Sequence, residues 1–133
     1  MFRQFLVGTD ITIHALVMVT LLQIARRSGS IAASRPSLRL IAVMIATVSI
    51  LMASHASEVI VWSLVYAVTD AAPPATDLTY FSFVTYTTLG GDVVLLEHWR
   101  FLAPLTAMNG VLLFGWSTAV IFEVMRREMH RDF

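Results

Sequence analysis

The residues best suited to chemistry are Thr87-Thr88-Leu89-Gly90-Gly91-Asp92, which close the run YFSFVTYTTLGGD from Tyr80 to Asp92. The chain has no cysteine, which excludes disulfides, thiolate nucleophiles and zinc–thiolate centres. No nucleophile–base pair, metal triad or phosphate loop is visible, so enzyme chemistry is not expected. What the run offers is main-chain oxygen. Paired glycines let a backbone take positive φ and turn its carbonyls to one side. Carbonyls arrayed around an axis replace the hydration shell of a cation. The bland alternative is that Gly90-Gly91 only turns the chain.

The elements around this run are membrane-length. Apolar residues make up 57% of the 133 and charged residues 14%, against roughly half apolar in ordinary soluble domains. Formal net charge is zero, which argues against a nucleic-acid partner. Three apolar segments are long enough for a bilayer core, which takes about 20 helical residues. The first is Phe5 to Ala25; it runs too long for a signal peptide and ends in Arg26-Arg27, not a small-residue cleavage site. A polar link follows, where Ser34 or Ser37 caps the next helix and Pro36 lies near its start. The second segment is Leu38 to Thr69, without Pro or Gly. As one helix it is about 48 Å long, so it tilts or protrudes. The third is Phe101 to Met125, where Pro104 is tolerable only in the first turn.

Between the last two lies a helix too short to span. Pro73-Pro74 breaks the loop Asp70 to Asp77, and Thr76 or Asp77 caps a helix from Leu78 to about Tyr86. It enters and stops at Thr87-Thr88, and Gly90-Gly91 lead the chain back out. Backbone that leaves helix at membrane depth must be buried in protein or line a wet path. The negative end of the short helix favours a cation there. The run therefore reads as the pore-lining element of a cation channel.

Seven of the nine basic residues, Arg26, Arg27, Arg35, Arg39, Arg126, Arg127 and Arg131, fall in the first link and the tail. These belong on the cytoplasmic side. That sets a multi-pass cell-membrane protein with its N-terminus outside and its C-terminus cytoplasmic. Asp70, Asp77, Asp92 and Glu97 then collect outside as an acidic mouth that concentrates cations. Trp99 fits the interfacial aromatic belt.

Ionisable groups at depth carry two readings each. Asp10 and His14 share a helix face at i, i+4, as a buried pair or a relay. His55 and Glu58, at i, i+3, are a pair locking two helices or a pH-sensitive gating pair. Gly110 and Gly115 allow either close helix packing or a bending hinge.

The order of these elements resembles the pore module of the potassium channel superfamily, of the bacterial two-helix ion channel domain type. Thr88-Leu89-Gly90 matches the Thr-Val-Gly of the family's TVGYG filter, and Gly91-Asp92 its Gly-Asp. Phe81-Ser82-Phe83-Val84-Thr85 is similar to the pore-helix lead-in, and Thr85 and Thr87, flanking Tyr86, fall at its hydroxyl positions. The resemblance covers Val59 to Arg127; the first helix lies outside it. Residues 1–37 read by apolar length and Arg placement as an N-terminal transmembrane helix and cytoplasmic loop, and the resemblance implies 38–133 as the pore domain. Within the latter it implies an outer helix over 38–69, a pore helix over 77–87, a filter over 88–92 and an inner helix over 101–127. The expected fold is an all-α membrane protein with three transmembrane helices plus a re-entrant pore helix and filter loop, assembling as a homotetramer in the bilayer. Potassium, sodium or both are the implied permeant ions, with no cofactor and no soluble ligand domain.

The implied path passes Asp92 and Glu97, and a monovalent cation then sheds water against Thr88, Leu89, Gly90 and Gly91. Ser117 and Thr118 line a wet cavity below. Glu123 near the inner end forms a carboxylate ring or pairs with Arg127 at i, i+4. No spaced-Arg voltage sensor is present. One departure stands out: the family carries an aromatic, usually Tyr, between its two glycines, and here Gly90 and Gly91 are adjacent. The resemblance implies that this aromatic braces the filter, so reduced or altered selectivity is expected. Tyr80, Phe81, Phe83 and Tyr86 are candidates to replace the strut. The alternative is a non-conducting or assembly-only subunit with a degenerate filter. A transporter is disfavoured because no internal repeat is visible.

Overall fold

The structure, a computed structural model, describes residues 8, 11–12, 14–20, 23 and 36–130. The described residues between 8 and 23 are helical. Part of the span expected from Phe5 to Ala25, Asp10 with it, and the link 26–35 lie outside the described residues. Three long or short helices follow: α1 over Pro36–Thr69, α2 over Leu78–Tyr86 and α3 over Leu102–Met129, with a 3₁₀ turn at Glu97–Trp99 before α3. Among the described residues, two helices are long and apolar enough to cross a membrane.

The helix boundaries have local causes. Pro36 opens α1, where its missing N–H would have no partner anyway. No Pro or Gly follows until Pro73, so nothing interrupts the ladder. At the far end Asp70 takes φ +50°, its N–H bonds the Ala67 carbonyl, and the Ala71 N–H reaches back to Tyr66. This is the wrap that caps a helix through one left-handed residue. Pro104 is the third residue of α3, within the first turn. Asp77 caps α2, accepting from the N–H groups of Thr79 and Tyr80 at 3.1 and 3.0 Å.

The chain forms two compact units, Met1–Ser54 with Gly115–Phe133, and His55–Phe114. In the first, Met18, Leu51, Val120 and Val124 form a buried cluster, with Val43, Met44 and Ile121 packed against it. His14 is fully buried there, its Nδ1 3.5 Å from Ser54 Oγ and its Nε2 3.2 Å from Ser117 Oγ. Arg39 Nε bonds Glu128 Oε2 at 3.1 Å.

The second unit encloses α2. Tyr66 is fully buried, and its ring meets Phe81 of α2 edge-on at 5.0 Å. Thr106 gives its proton to the Leu102 carbonyl, so the Tyr66 hydroxyl donates to Thr106 Oγ1, at 2.7 Å. The Leu96 N–H bonds the Ala71 carbonyl at 3.0 Å, tying the loop after α2 to the loop after α1.

Large apolar side chains remain exposed at helical spacing. On α1 they include Ile41, Ile45, Val48 and Met52, then Ile60, Leu64 and Val68. Helices apolar beyond their core-facing stripe suit a lipid surround or further protein, not water.

Candidate functional site

The last turn of α2 and the loop after it form the centre of the second unit. Phe81, Ser82, Val84, Thr85 and Tyr86 make the buried face of α2, while Tyr80 and Phe83 are exposed. Ser82 Oγ has no hydrogen-bond partner among the described residues. Thr87 closes the helix, its N–H and hydroxyl both bonded to the Phe83 carbonyl.

Thr88 then takes φ +60° and its N–H bonds the Thr85 carbonyl at 3.0 Å; two residues on, the Gly90 N–H bonds the Val84 carbonyl at 3.0 Å. The loop is therefore suspended from the last turn of α2 by two main-chain hydrogen bonds. Positive φ was anticipated at both glycines. Gly90 has it, at +75°, but Gly91 does not, and Thr88 takes the other left-handed position. That place after a helix normally favours glycine, and a β-branched residue there is strained. Positive φ thus alternates with negative φ from Thr88 to Gly91. Alternating hands are the backbone pattern in which successive N–H groups can gather on one side and leave the carbonyls to the other.

Residues Thr88 to Asp92 are all exposed, as is Glu97 in the 3₁₀ turn. Behind the loop lies an open cavity of about 320 Å³. Its wall includes Phe81 and Thr85 of α2, Val93, and Ala103, Pro104 and Ala107 at the start of α3.

Tyr86 is held from two sides. Its hydroxyl donates to Glu58 Oε2 of α1. His55 Nδ1 lies 3.0 Å from the same carboxylate oxygen and 2.8 Å from the Tyr86 hydroxyl. With the proton on Nδ1, both donors converge on one carboxylate. His55, Glu58 and Tyr86 are all buried, so their polar atoms must find hydrogen-bond partners within the protein. From the other side, Gly110 of α3 packs on the Tyr86 backbone: a Cβ there would overlap the Tyr86 carbonyl oxygen and come within 3.3 Å of the ring. Phe114 completes the group, with ring centroids 4.4 Å from His55 and 5.5 Å from Tyr86.

The remaining candidates separate. Gly115 has open space around it. Ser117 is buried against His14, whereas Thr118 is exposed. Glu123 pairs with both Arg126 and Arg127. The contact at Gly110 is the close packing that was one of its two readings; the Tyr86–Glu58 bond and the Arg39–Glu128 pair were not foreseen. The Tyr86–Glu58 bond had one signal: a buried Glu must find donors, and Tyr86 ends a helix too short to span, among the described residues.

A family model described as an ion channel matches residues 54–127, more than half of the chain. The chain belongs to this ion channel family. The matched stretch is a two-helix, potassium-channel-like channel domain, and it contains α2, the Thr88–Asp92 loop and the whole Tyr86 cluster. With its two membrane-capable helices, the channel is a membrane protein. No curated protein and no solved structure matches the chain.

Proposed function

We propose that the channel is a homotetramer passing monovalent cations, potassium and sodium, through a ring of carbonyls from Thr88, Leu89, Gly90 and Gly91. The observation that carries this reading is the alternation of φ directly after the α2 terminus. It aligns the carbonyls on one side, and the partial negative charge of a helix C-terminus adds to them. Cations shed water against such an array because carbonyl oxygens replace the hydration shell.

One chain supplies one wall. The loop is exposed, so further copies must close it, and domains of this family generally assemble as oligomers in membranes. Four copies around an axis is the arrangement the potassium-channel resemblance implies. Asp92 and Glu97 form the outer mouth, with Asp70 and Asp77 beyond them. Thr118, which is exposed, is the better candidate for the wet cavity than Ser117, which is buried. At the inner end Glu123 is neutralised by Arg126 and Arg127, which favours the pair over a free carboxylate ring.

Weak discrimination between potassium and sodium follows from the missing aromatic. Of the four candidates for that strut, Tyr86 is turned to Glu58 and Phe81 packs on Tyr66. Tyr80 and Phe83 are exposed and can brace only a neighbouring copy. The test is flux into liposomes holding the purified protein alone, with native mass measured on the same sample. Cation uptake without chloride uptake, at the mass of four chains, is expected. Tetramers that admit no cation would instead identify an assembly-only subunit.

A further inference from the structure

We propose that Glu58 is a positioning residue which, through Tyr86, sets the selectivity of the filter. The inference deepens the reading of Thr88–Gly91 as a cation filter and rests on it.

The mechanical path is short. The filter loop hangs from the last turn of α2 by the Thr88 N–H on the Thr85 carbonyl and the Gly90 N–H on the Val84 carbonyl. Those are the two left-handed positions of the loop. Tyr86 lies in the same turn and fixes its rotation and height. Any shift of Tyr86 moves Val84 and Thr85 with it, and so moves both suspension points. Toward α3 the Tyr86 carbonyl cannot advance, because the Gly110 backbone is already against it. On the other side the Tyr86 hydroxyl is held by Glu58, with His55 beside both.

The chemistry of that bond matters. Tyr66 shows the ordinary way to satisfy a buried phenol: its hydroxyl donates to the neutral hydroxyl of Thr106. Tyr86 instead donates to a carboxylate that also receives His55. Hydrogen bonds to an ionised acceptor are shorter and roughly twice as strong as neutral ones. A filter without its own aromatic brace is thereby held from one helical turn back. The His55 ring, seated on Phe114, keeps the carboxylate from turning away.

The experiment is a potassium–sodium bi-ionic reversal potential on the full chain in bilayers. It compares the wild type, Tyr86→Phe, Glu58→Gln, the double variant Glu58→Gln/Tyr86→Phe, and Tyr66→Phe. Tyr86→Phe should move the permeability ratio toward one by about threefold, the scale of one lost hydrogen bond. Glu58→Gln keeps an accepting oxygen and should fall between. The double variant should match Tyr86→Phe, because the two residues act through one bond. Tyr66→Phe loses a buried hydroxyl bond without touching the suspension, so its ratio should stay at the wild-type value. An unchanged ratio in Tyr86→Phe, additive effects in the double variant, or an equal shift in Tyr66→Phe would overturn the proposal. A silent wild type would fail differently, by removing the filter reading itself.

Discussion

The unit that holds Leu51 and Val120 and the unit that holds α2 draw on the same two helices but are stabilised by different chemistry. In the first, helix backbone satisfies its own hydrogen bonds, and side chains need only pack. Its described centre is aliphatic, Met18, Leu51, Val120 and Val124, with polar contacts that include those of His14, the Arg39–Glu128 pair and the Glu123 pairs. In the second, the chain leaves helix twice, between α1 and α2 and between α2 and α3. Its core is built from hydroxyl-bearing aromatics whose bonds have direction: Tyr66 to Thr106 and Tyr86 to Glu58. Apolar contact is nearly as good with lipid as with protein, so packing alone does not fix a short helix in place. Directed hydrogen bonds do, and they occur where irregular backbone must be held.

The sharpest way to break this contrast is a matched pair of glycine substitutions. Gly110→Ala drives a Cβ into the Tyr86 carbonyl, and neither backbone can yield without moving the loop. We expect a loss of about 3 kcal/mol or more, seen as a collapsed tetramer peak and a lowered melting temperature in detergent. Gly115→Ala meets open space within its chain and should stabilise α3 by about 0.5–1 kcal/mol through helix propensity. A hinge at both positions predicts the opposite: similar stability and altered opening in each.

The ionic contact of the first unit comes next. Arg39→Gln leaves Glu128, whose side chain is 3% exposed, without its guanidinium. Losing a hydrogen bond to a buried charged group is expected to cost about 1.5–3 kcal/mol. Glu123→Gln, by contrast, loosens pairs in which Arg126 is 56% exposed, and its melting temperature should not move measurably. Equal shifts in the two would mean that the first unit is not held as described.

The smallest effect belongs to Thr88. Thr88→Gly relieves a left-handed β-branched residue, worth about 1–2 kcal/mol. The added freedom of the unfolded chain offsets about 0.5–1 kcal/mol of that. A net stabilisation under about 1 kcal/mol should accompany altered permeation, since the hydroxyl beside the carbonyl array is lost. Destabilisation would contradict the φ assigned to this residue.

Much of the frame was legible in the sequence. The unbroken apolar run predicts α1, Pro104 sets the start of α3, and Asp77 announces α2, because each acts through local backbone chemistry. The Thr-Thr-Leu-Gly-Gly run marked the loop for the same reason. What was hidden is long-range. Aromatic residues lie all around α2, at Tyr80, Phe81, Phe83 and Tyr86, so no periodicity tells which one turns to Glu58. Glycines at 110 and 115 look alike in sequence; only the proximity of Tyr86 separates them. Ser117 reads as a polar liner until its partner, His14, is seen 103 positions away. Thr88 in a left-handed conformation runs against residue preference and is imposed by the suspension of the loop.

The central claim, a cation filter at Thr88–Gly91 that lacks its own aromatic brace, is tested most directly by one number: the reversal potential of the purified wild-type protein between potassium on one side and sodium on the other. We predict a cation current with the two permeabilities within about tenfold of each other, as expected of a carbonyl filter short of one coordinating layer. A reversal potential set by potassium alone, or one that follows chloride, would contradict it.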